Sequence, residues 1–210
     1  MLVKTELERF SERLAAGTPT PGGGSAAALS GALAASLIHM VCELTIGREA
    51  YREHEETVRT IRDRAGALRR DLLVLVDRDA EAYGDVMKAI RMPKGSEAEK
   101  TTRKEALAQA NLFATETPMA TAEACSALMI LAVELVDRGN RNAISDVGSA
   151  ALLAYAGLRG GVLNVRINLA GLAEADHAAK ALNRIRSLEV DAERLREQAL
   201  TAINARMNGS

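Results

Sequence analysis

The sequence predicts an all-α protein, and three observations support this. Aromatic residues make up only 2% of the 210 residues, tryptophan is absent, and there are four prolines. Strands favour aromatic and β-branched side chains, whereas helices favour alanine and unbranched apolar residues. Apolar residues also recur at helical spacing, as in Leu68, Leu72, Leu75 and Val76. The hydrophobic content of 48% is enough for a large core of Ala, Leu, Val, Ile and Met.

Apolar spacing, capping residues and chain breakers predict about seven helices in one domain over residues 1–210. No linker, repeat or low-complexity tract divides the chain. The predicted helices cover residues 2–16, 26–46, 49–90, 97–116, 118–137, 142–170 and 178–207.

Prolines, glycines and capping residues set the ends of these helices. The residue before a proline avoids the helical region, so Pro19 and Pro21 predict an extended strap after the first helix. Ser25 is expected to cap the second helix. Ser96 and Glu99 have the spacing of a capping box, and a proline at 118 suits the first turn of a new helix. Further along, the pattern predicts a kink at 160–161, a break at 171–176 and frayed residues at 208–210.

Two of the predicted helices, at 26–46 and 143–169, are rich in small residues and apolar on nearly all sides. A bundle of this size can bury one such helix easily. Burying two indicates that a subunit interface covers part of one of them, so a homodimer is expected.

Charge and sequence pattern argue against several classes of protein. The chain carries 27 basic and 28 acidic residues, for a net charge of -1, whereas proteins that bind nucleic acids or membrane surfaces usually have a basic surplus. The run 25–41 could imitate a membrane span, but it contains Ser30, Ser36 and His39 and is predicted to be a buried helix. No signal peptide is expected at the N-terminus, which favours a cytoplasmic protein.

The cysteines and histidines do not have the spacing of a metal site. Cys42 and Cys125 each lie in an apolar helical stretch and are expected to be buried thiols in a reducing compartment. His39, His54 and His177 show no HExxH-type spacing, so no metal is predicted.

The first candidate site is the strap formed by Pro21, Gly22, Gly23, Gly24 and Ser25. Glycines before a helix N-terminus expose backbone N–H groups and the positive end of the helix dipole, which suit an anion. The strap lacks the Gly-Lys-Ser/Thr ending of a phosphate loop, and no strand precedes it. From the residues alone, ligand binding and a purely structural strap both remain open.

The second candidate combines Asn142, Ser145 and Asp146 at the start of an apolar helix. Asn142 and Asp146 are four residues apart and share a helix face. Capping by Asn142, followed by an acidic first turn, would explain the same pattern without a ligand.

Two further pairs are also spaced four residues apart. Asn164 and Asn168 lie among apolar neighbours, where they either brace a bend in the core or bind a ligand. Asp79 and Tyr83 share a face of the long third helix, which is either a solvated face or part of a site.

Together these stretches resemble the cyclodeaminase/cyclohydrolase family, which includes the C-terminal domain of formiminotransferase-cyclodeaminase and stand-alone methenyltetrahydrofolate cyclohydrolases. The Thr-Pro-Thr-Pro-Gly-Gly-Gly-Ser and Gly-Asn-Arg-Asn-Ala-Ile-Ser-Asp motifs are quite specific together, and the likeness spans nearly the whole chain. It is carried by residues 18–28, 40–47, 139–147, 154–159 and 164–168.

The resemblance implies an all-helical homodimer that hydrolyses 5,10-methenyltetrahydrofolate to 10-formyltetrahydrofolate without a metal or organic cofactor. The chain length favours the stand-alone cyclohydrolases. A formiminotetrahydrofolate cyclodeaminase, which releases ammonia, is the alternative within the family. A non-catalytic helical interaction protein is the alternative from another class.

The chemistry implied by this family suggests roles for the polar residues. Asp146 is expected to act as general base, with Asp79 as a second carboxylate that stabilises positive charge. Arg48 and Arg52 either contact the glutamate tail of the folate or belong to a solvated helix face. The expected substrate-binding residues are Pro21, Gly22, Gly23, Gly24, Ser25, Tyr83, Asn142, Ser145, Asn164 and Asn168.

Overall fold

The computed structural model describes residues 1–172 and 175–208, and within them it contains six α-helices and no strand. The all-α prediction is therefore confirmed. The break predicted at 171–176 and the fraying predicted at 208–210 lie partly outside the described residues. The helices are α1 (Leu7–Ala15), α2 (Gly23–Glu43), α3 (Glu55–Ile90), α4 (Glu97–Val136), α5 (Ile144–Asn168) and α6 (Ala175–Asn208).

Several predicted helices begin or end as 3₁₀ turns. The first predicted helix divides into a 3₁₀ turn, Leu2–Lys4, and α1, and the third begins with a 3₁₀ segment, Glu49–His54. Two more 3₁₀ turns, Arg141–Ala143 and Leu169–Gly171, flank α5. The glycine pair at 160–161 lies inside continuous helix. The capping box of Ser96 and Glu99 is present at the start of α4.

The prediction of seven helices was wrong at Pro118, which lies inside the single 40-residue helix α4. A proline within a helix cannot donate to the carbonyl four residues earlier, here that of Ala114. That carbonyl instead accepts a hydrogen bond of 2.5 Å from the Asn168 side chain on α5. Because the freed carbonyl has a new partner, the helix continues through the proline.

Helices α2 and α5 pack side by side at the centre of the bundle, with α3, α4 and α6 around them. Their closest approach depends on glycine. A Cβ atom on Gly31 or Gly157 would lie 2.6 or 2.7 Å from the Cys125 sulfur atom, and one on Gly157 would also lie 2.9 Å from the Ala27 carbonyl oxygen. No real Cβ atom fits at these distances, so the three helices meet through these glycines and the small Cys125 side chain.

Both cysteines are buried, as predicted. Burial raises the pKa of each thiol to about 12, because the uncharged form is favoured away from water. Two helices, α2 and α4, are long and apolar enough to cross a membrane by length and composition, and 56% and 50% of their apolar windows are buried inside the bundle. That degree of burial is also found in core helices of soluble proteins.

Gly157→Ala is expected to lower the free energy of unfolding by about 1–3 kcal/mol, because the new methyl group collides with Cys125 and the α2 backbone. Gly84→Ala in α3 is the matched control, since a Cβ atom there meets nothing within 4 Å. It should instead raise stability by about 0.5–1 kcal/mol. Urea denaturation of both variants measures the difference. Equal effects would contradict the role of Gly157 in helix packing.

Candidate functional site

The strap before α2, the middle of α3 and the C-terminal end of α5 enclose a polar cavity of about 150 Å³. The cavity brings together seven residues predicted from sequence to form a site: Gly22, Gly23, Gly24, Asp79, Tyr83, Asn164 and Asn168. Pro19, Thr20, Ala82 and Ala114 complete the lining.

Asp79 joins α3 to the N-terminus of α2. Its Oδ2 atom accepts hydrogen bonds from the Ser25 backbone N–H at 2.8 Å and from the Ser25 hydroxyl at 2.9 Å. The expectation that Ser25 caps α2 was therefore wrong. The helix begins at Gly23, and the carboxylate of Asp79 serves as the acceptor for one of its free N–H groups. An anion at this end of a helix also interacts favourably with the helix dipole.

The Ser25 side chain lies behind Asp79 and away from the cavity. The residue is fully buried, and its hydroxyl is also within 3.0 Å of the Val76 carbonyl oxygen. Pro21 is buried beside it, after a cis Thr20–Pro21 peptide bond. Neither residue lines the cavity. Ser25 positions the Asp79 carboxylate, and Pro21 belongs to the strap that carries the glycines.

The second oxygen of Asp79, Oδ1, has no hydrogen-bond donor among the described residues, and it is not one of their buried unpaired atoms. It is therefore accessible from the cavity. A Cβ atom on Gly24 would lie 2.6 Å from the Asp79 carboxyl carbon and closer still to Oδ1. Glycine at position 24 is what leaves room for this carboxylate.

Burial raises the pKa of the Asp79 carboxyl above its usual value of 3.8, and the two hydrogen bonds from Ser25 partly offset this effect. A carboxylate with a raised pKa and one accessible oxygen is a stronger base than an exposed aspartate. Such a perturbed group in a cavity is typical of functional sites.

The side-chain amides of Asn164 and Asn168 line the same cavity. The Asn168 Nδ2 atom donates to Ala114, and the Asn164 Nδ2 atom donates to the Gly160 carbonyl oxygen at 2.8 Å. Each amide uses one N–H in this way, so its oxygen and its second N–H are left as a potential acceptor and donor for a ligand. Asn168 thus braces α4 at Pro118 and also lines the cavity.

The structure separates the second predicted group from this cavity. Asp146 lies in the first turn of α5, and 18 residues of helix, about 27 Å, separate it from Asn164. Asn142 and Ser145 are exposed beside it, and Asp146 is half-buried. Within one chain, Asp146 and Asp79 do not share a site.

Asn140, which the sequence did not single out, organises this far end of α5. Its side chain accepts from the Asn142 backbone N–H at 3.0 Å, so Asn140 caps the turn that Asn142 was expected to cap. Its own N–H donates to the Thr45 hydroxyl, and its amide donates to the Leu44 carbonyl oxygen. These bonds tie the start of α5 to the end of α2.

Within one chain, Arg48 and Arg52 lie far from this cavity, so they cannot contact a ligand tail that leaves it. Both follow the C-terminus of α2, and the cavity lies at its N-terminus, about 30 Å away along the helix. Arg52 is exposed and pairs with Glu49 at 3.3 Å.

Within the described residues, no group of three or more His, Cys, Asp or Glu side chains could hold a metal ion. The cavity instead combines one carboxylate oxygen, two side-chain amides and the Tyr83 side chain, which is 40% exposed. The carboxylate suits a cationic ligand, and the oxygens of the amides can accept from N–H donors of that ligand.

Residues 6–187 match the model of the formiminotransferase-cyclodeaminase family. The chain belongs to this family. It is 39% identical to a methenyltetrahydrofolate cyclohydrolase of Methylorubrum extorquens over 202 residues, which cover 96% of this chain and 97% of that protein.

Other members of the family agree with this assignment. The chain is 34% identical to the mouse formimidoyltransferase-cyclodeaminase over 98% of its own length, and it spans 38% of that longer protein. A crystal structure of the formiminotetrahydrofolate cyclodeaminase from Thermotoga maritima superposes with a TM-score of 0.86, at 27% identity and 98% coverage of both chains. The resemblance inferred from the motifs is confirmed.

Asn168→Ala is expected to lower the free energy of unfolding by about 1–3 kcal/mol, because it leaves the Ala114 carbonyl without a partner. In a Pro118→Ala background the new N–H at position 118 can bond to that carbonyl. In that background, Asn168→Ala should lower the free energy of unfolding by less than half as much. A double-mutant cycle by urea denaturation tests this, and additive effects would contradict the proposed repair of α4.

Proposed function

We propose that the protein is a methenyltetrahydrofolate cyclohydrolase that hydrolyses 5,10-methenyltetrahydrofolate to 10-formyltetrahydrofolate. The accessible Oδ1 atom of Asp79, in a cavity lined by acceptors, is the observation that carries this proposal. The 39% identity to a protein named for this activity supports it over the length of the chain.

The positive charge of the substrate is complementary to the Asp79 carboxylate in the cavity. The methenyl bridge is part of a cationic amidinium, and the pterin ring carries N–H and NH₂ donors. The Asp79 carboxylate attracts the cation, and the Oδ1 atoms of Asn164 and Asn168 can accept from the ring donors. Gly22 and Gly23 allow the flat ring to approach the backbone closely. The cavity volume of about 150 Å³ accommodates the reacting end of the folate, so the rest must lie outside it.

The reaction then moves both protons of one water molecule. Asp79 takes the first proton while the water oxygen bonds to the electrophilic bridge carbon, which gives a neutral adduct with a hydroxyl group on that carbon. The adduct collapses when its bond to N5 breaks, N5 takes up the proton held by Asp79, and the hydroxyl proton leaves to solvent, so the formyl group remains on N10 and one proton is released overall. Bound cationic substrate lowers the pKa of Asp79 again, which keeps the carboxylate ionised for this step.

Formiminotetrahydrofolate cyclodeaminase activity is the second candidate, because the solved relative carries that name and the mouse relative is named a formimidoyltransferase-cyclodeaminase. The same cavity would then hold formiminotetrahydrofolate, and closure of the bridge would expel ammonia. Loss of methenyl absorbance without ammonia release supports the cyclohydrolase. Ammonia release from formiminotetrahydrofolate, with no faster bridge opening, supports the cyclodeaminase.

We also propose that the active form is a homodimer formed through α2 and α5. Both helices carry large apolar side chains that are exposed in the single chain and recur at helical spacing. They are Leu33 and Met40 on α2, Leu44 directly after it, and Leu152, Leu163 and Ile167 on α5.

A two-fold axis perpendicular to α5 would pair the start of each α5 with the end of the other. Asp146 of one chain would then approach the Asp79 cavity of its partner. This arrangement brings Asn142 and Ser145 to the substrate, as expected. It exchanges the expected roles of the two carboxylates, because Asp79 acts as the general base and Asp146 of the partner chain stabilises positive charge. We further propose that the reaction uses no metal or organic cofactor and that the protein is cytoplasmic.

Asp79→Asn should lower kcat/KM for methenyltetrahydrofolate by roughly 10²–10⁴-fold, the usual contribution of a general base. The asparagine oxygen can still accept from Ser25, so the fold should persist. Asp85→Asn is the control, because Asp85 is an exposed carboxylate on the same helix.

The pH dependence of the wild type gives a second test. Activity should fall as the pH drops through the raised pKa of Asp79, with an inflection above 3.8 that the Asp79→Asn variant lacks. Unchanged activity in Asp79→Asn would refute the assignment.

Mixed dimers test whether Asp146 acts across the interface. Asp79→Asn and Asp146→Asn homodimers should both be inactive. Co-expression should restore about a quarter of wild-type activity, because half of the dimers are mixed and each mixed dimer keeps one intact site. Activity no higher than the mean of the two variants would show that Asp146 does not complete a partner's site.

A further inference from the structure

The face that α3 and α4 share beyond the cavity offers a path for the rest of the ligand. The two helices are antiparallel, and two contacts fix their alignment. Asp79 and Ala114 meet in the cavity, and the Arg103 Nε atom donates to the Ile90 carbonyl oxygen at 3.2 Å. From Asp79 to Ile90 is 11 residues, and from Ala114 back to Arg103 is also 11 residues, or about 16 Å along each helix.

The side chains along this path are apolar and partly exposed. On α3, Tyr83, Val86 and Ile90 follow Asp79 at intervals of three or four residues, so they share its face. Tyr83 is 40% exposed and Ile90 is 44% exposed, although both are large. On α4, Leu107 continues the face between Ala114 and Arg103 and is half-buried. A flat aromatic group leaving the cavity would bury these side chains.

Arg103 lies at the end of the path, and no carboxylate among the described residues forms an ion pair with it. It is half-buried, and its one hydrogen bond within the described residues goes to the last carbonyl of α3. That bond uses Nε and leaves both terminal NH₂ groups of the guanidinium available. A guanidinium in this state is suited to a carboxylate, because two parallel N–H donors match its two oxygens.

We propose that this face binds the aminobenzoyl-glutamate part of the folate, and that Arg103 binds a glutamate carboxylate. The proposal rests on the folate hydrolysis proposed above. An extended aminobenzoyl-glutamate spans a distance comparable to the path of about 16 Å once the reach of the arginine side chain is included. The benzoyl ring lies against Tyr83 and Ile90, where aromatic and aliphatic surfaces are exposed.

A second groove of about 570 Å³ lies between α3 and α4 on the other side of the pair, lined by Lys88, Met92 and Phe113 among others. At about 100° per residue, its residues on α3 lie roughly 80–180° around the helix from Asp79 and Tyr83. Lys88 there is already paired with Asp85 at 2.8 Å. This groove is therefore the less suitable place for the glutamate tail. Binding of the tail in this groove, through Lys88, is the alternative that the test must distinguish.

The test compares two substrates, 5,10-methenyltetrahydrofolate and 5,10-methenyltetrahydropteroate, which lacks the glutamate. The preference is the ratio of their kcat/KM values. Arg103→Gln should reduce the preference for the glutamyl substrate roughly tenfold, mainly through a higher KM. Arg103→Lys should retain part of it, because the charge remains.

Arg69→Gln, about 15 Å from Asp79 in the opposite direction along α3, is the matched control and should leave the preference unchanged. Unaltered preference in Arg103→Gln, or its loss in Lys88→Gln, would overturn the proposal. If the wild type accelerates the opening of neither substrate, the proposed activity fails. Calorimetry with tetrahydrofolate then tests the subsite separately. Weaker binding by Arg103→Gln supports it, and equal binding or no wild-type binding overturns it.

Discussion

The hydrogen bonds between Asp79 and Ser25 are the contact on which the site depends. They connect the middle of α3 to the first turn of α2, one of the two central helices. One carboxylate oxygen is used for this connection, and the other is left facing the cavity. The same side chain therefore links two helices of the bundle and places a carboxylate oxygen at the cavity, and its geometry is fixed by a buried backbone N–H rather than by a mobile loop.

Two irregularities of the backbone help to build the cavity. Gly24 lacks a side chain where the Asp79 carboxyl group must lie. Pro118 lacks an N–H, and the Asn168 amide that compensates for it has its oxygen left over for the cavity. In both cases a local departure from an ideal helix provides either space or a fixed acceptor. The polar site thus arises from features that an uninterrupted alanine-rich helix would not provide.

Much of the fold could be predicted from local patterns in the sequence. Helical spacing, the Ser96–Glu99 capping box and the glycine-rich strap predicted most helices to within a few residues. Pro118 misled the prediction, because its compensating partner lies 50 residues away and no local pattern reveals it. Ser25 misled it for the same reason, since the acceptor for its N–H comes from α3.

The candidate site was predictable as a set of residue types but not as a single place. Glycines, Asp79, Tyr83 and the two asparagines could be selected by spacing, and the structure brings them together. Helix length, about 27 Å along α5, separates Asp146 from them, and the pairing of α3 with α4 is needed to recognise Arg103. Sequence spacing predicts which residues share a face of one helix. It does not predict which residues of two different helices pack against each other.

The Cys125 thiol between Gly31 and Gly157 has a practical consequence. It is fully buried, and its raised pKa of about 12 keeps it protonated, so an alkylating reagent cannot reach or react with it while the helices are packed. Labelling requires the centre of the bundle to separate. The rate at which the Cys125 sulfur is alkylated therefore measures how often the packed interior of the bundle opens.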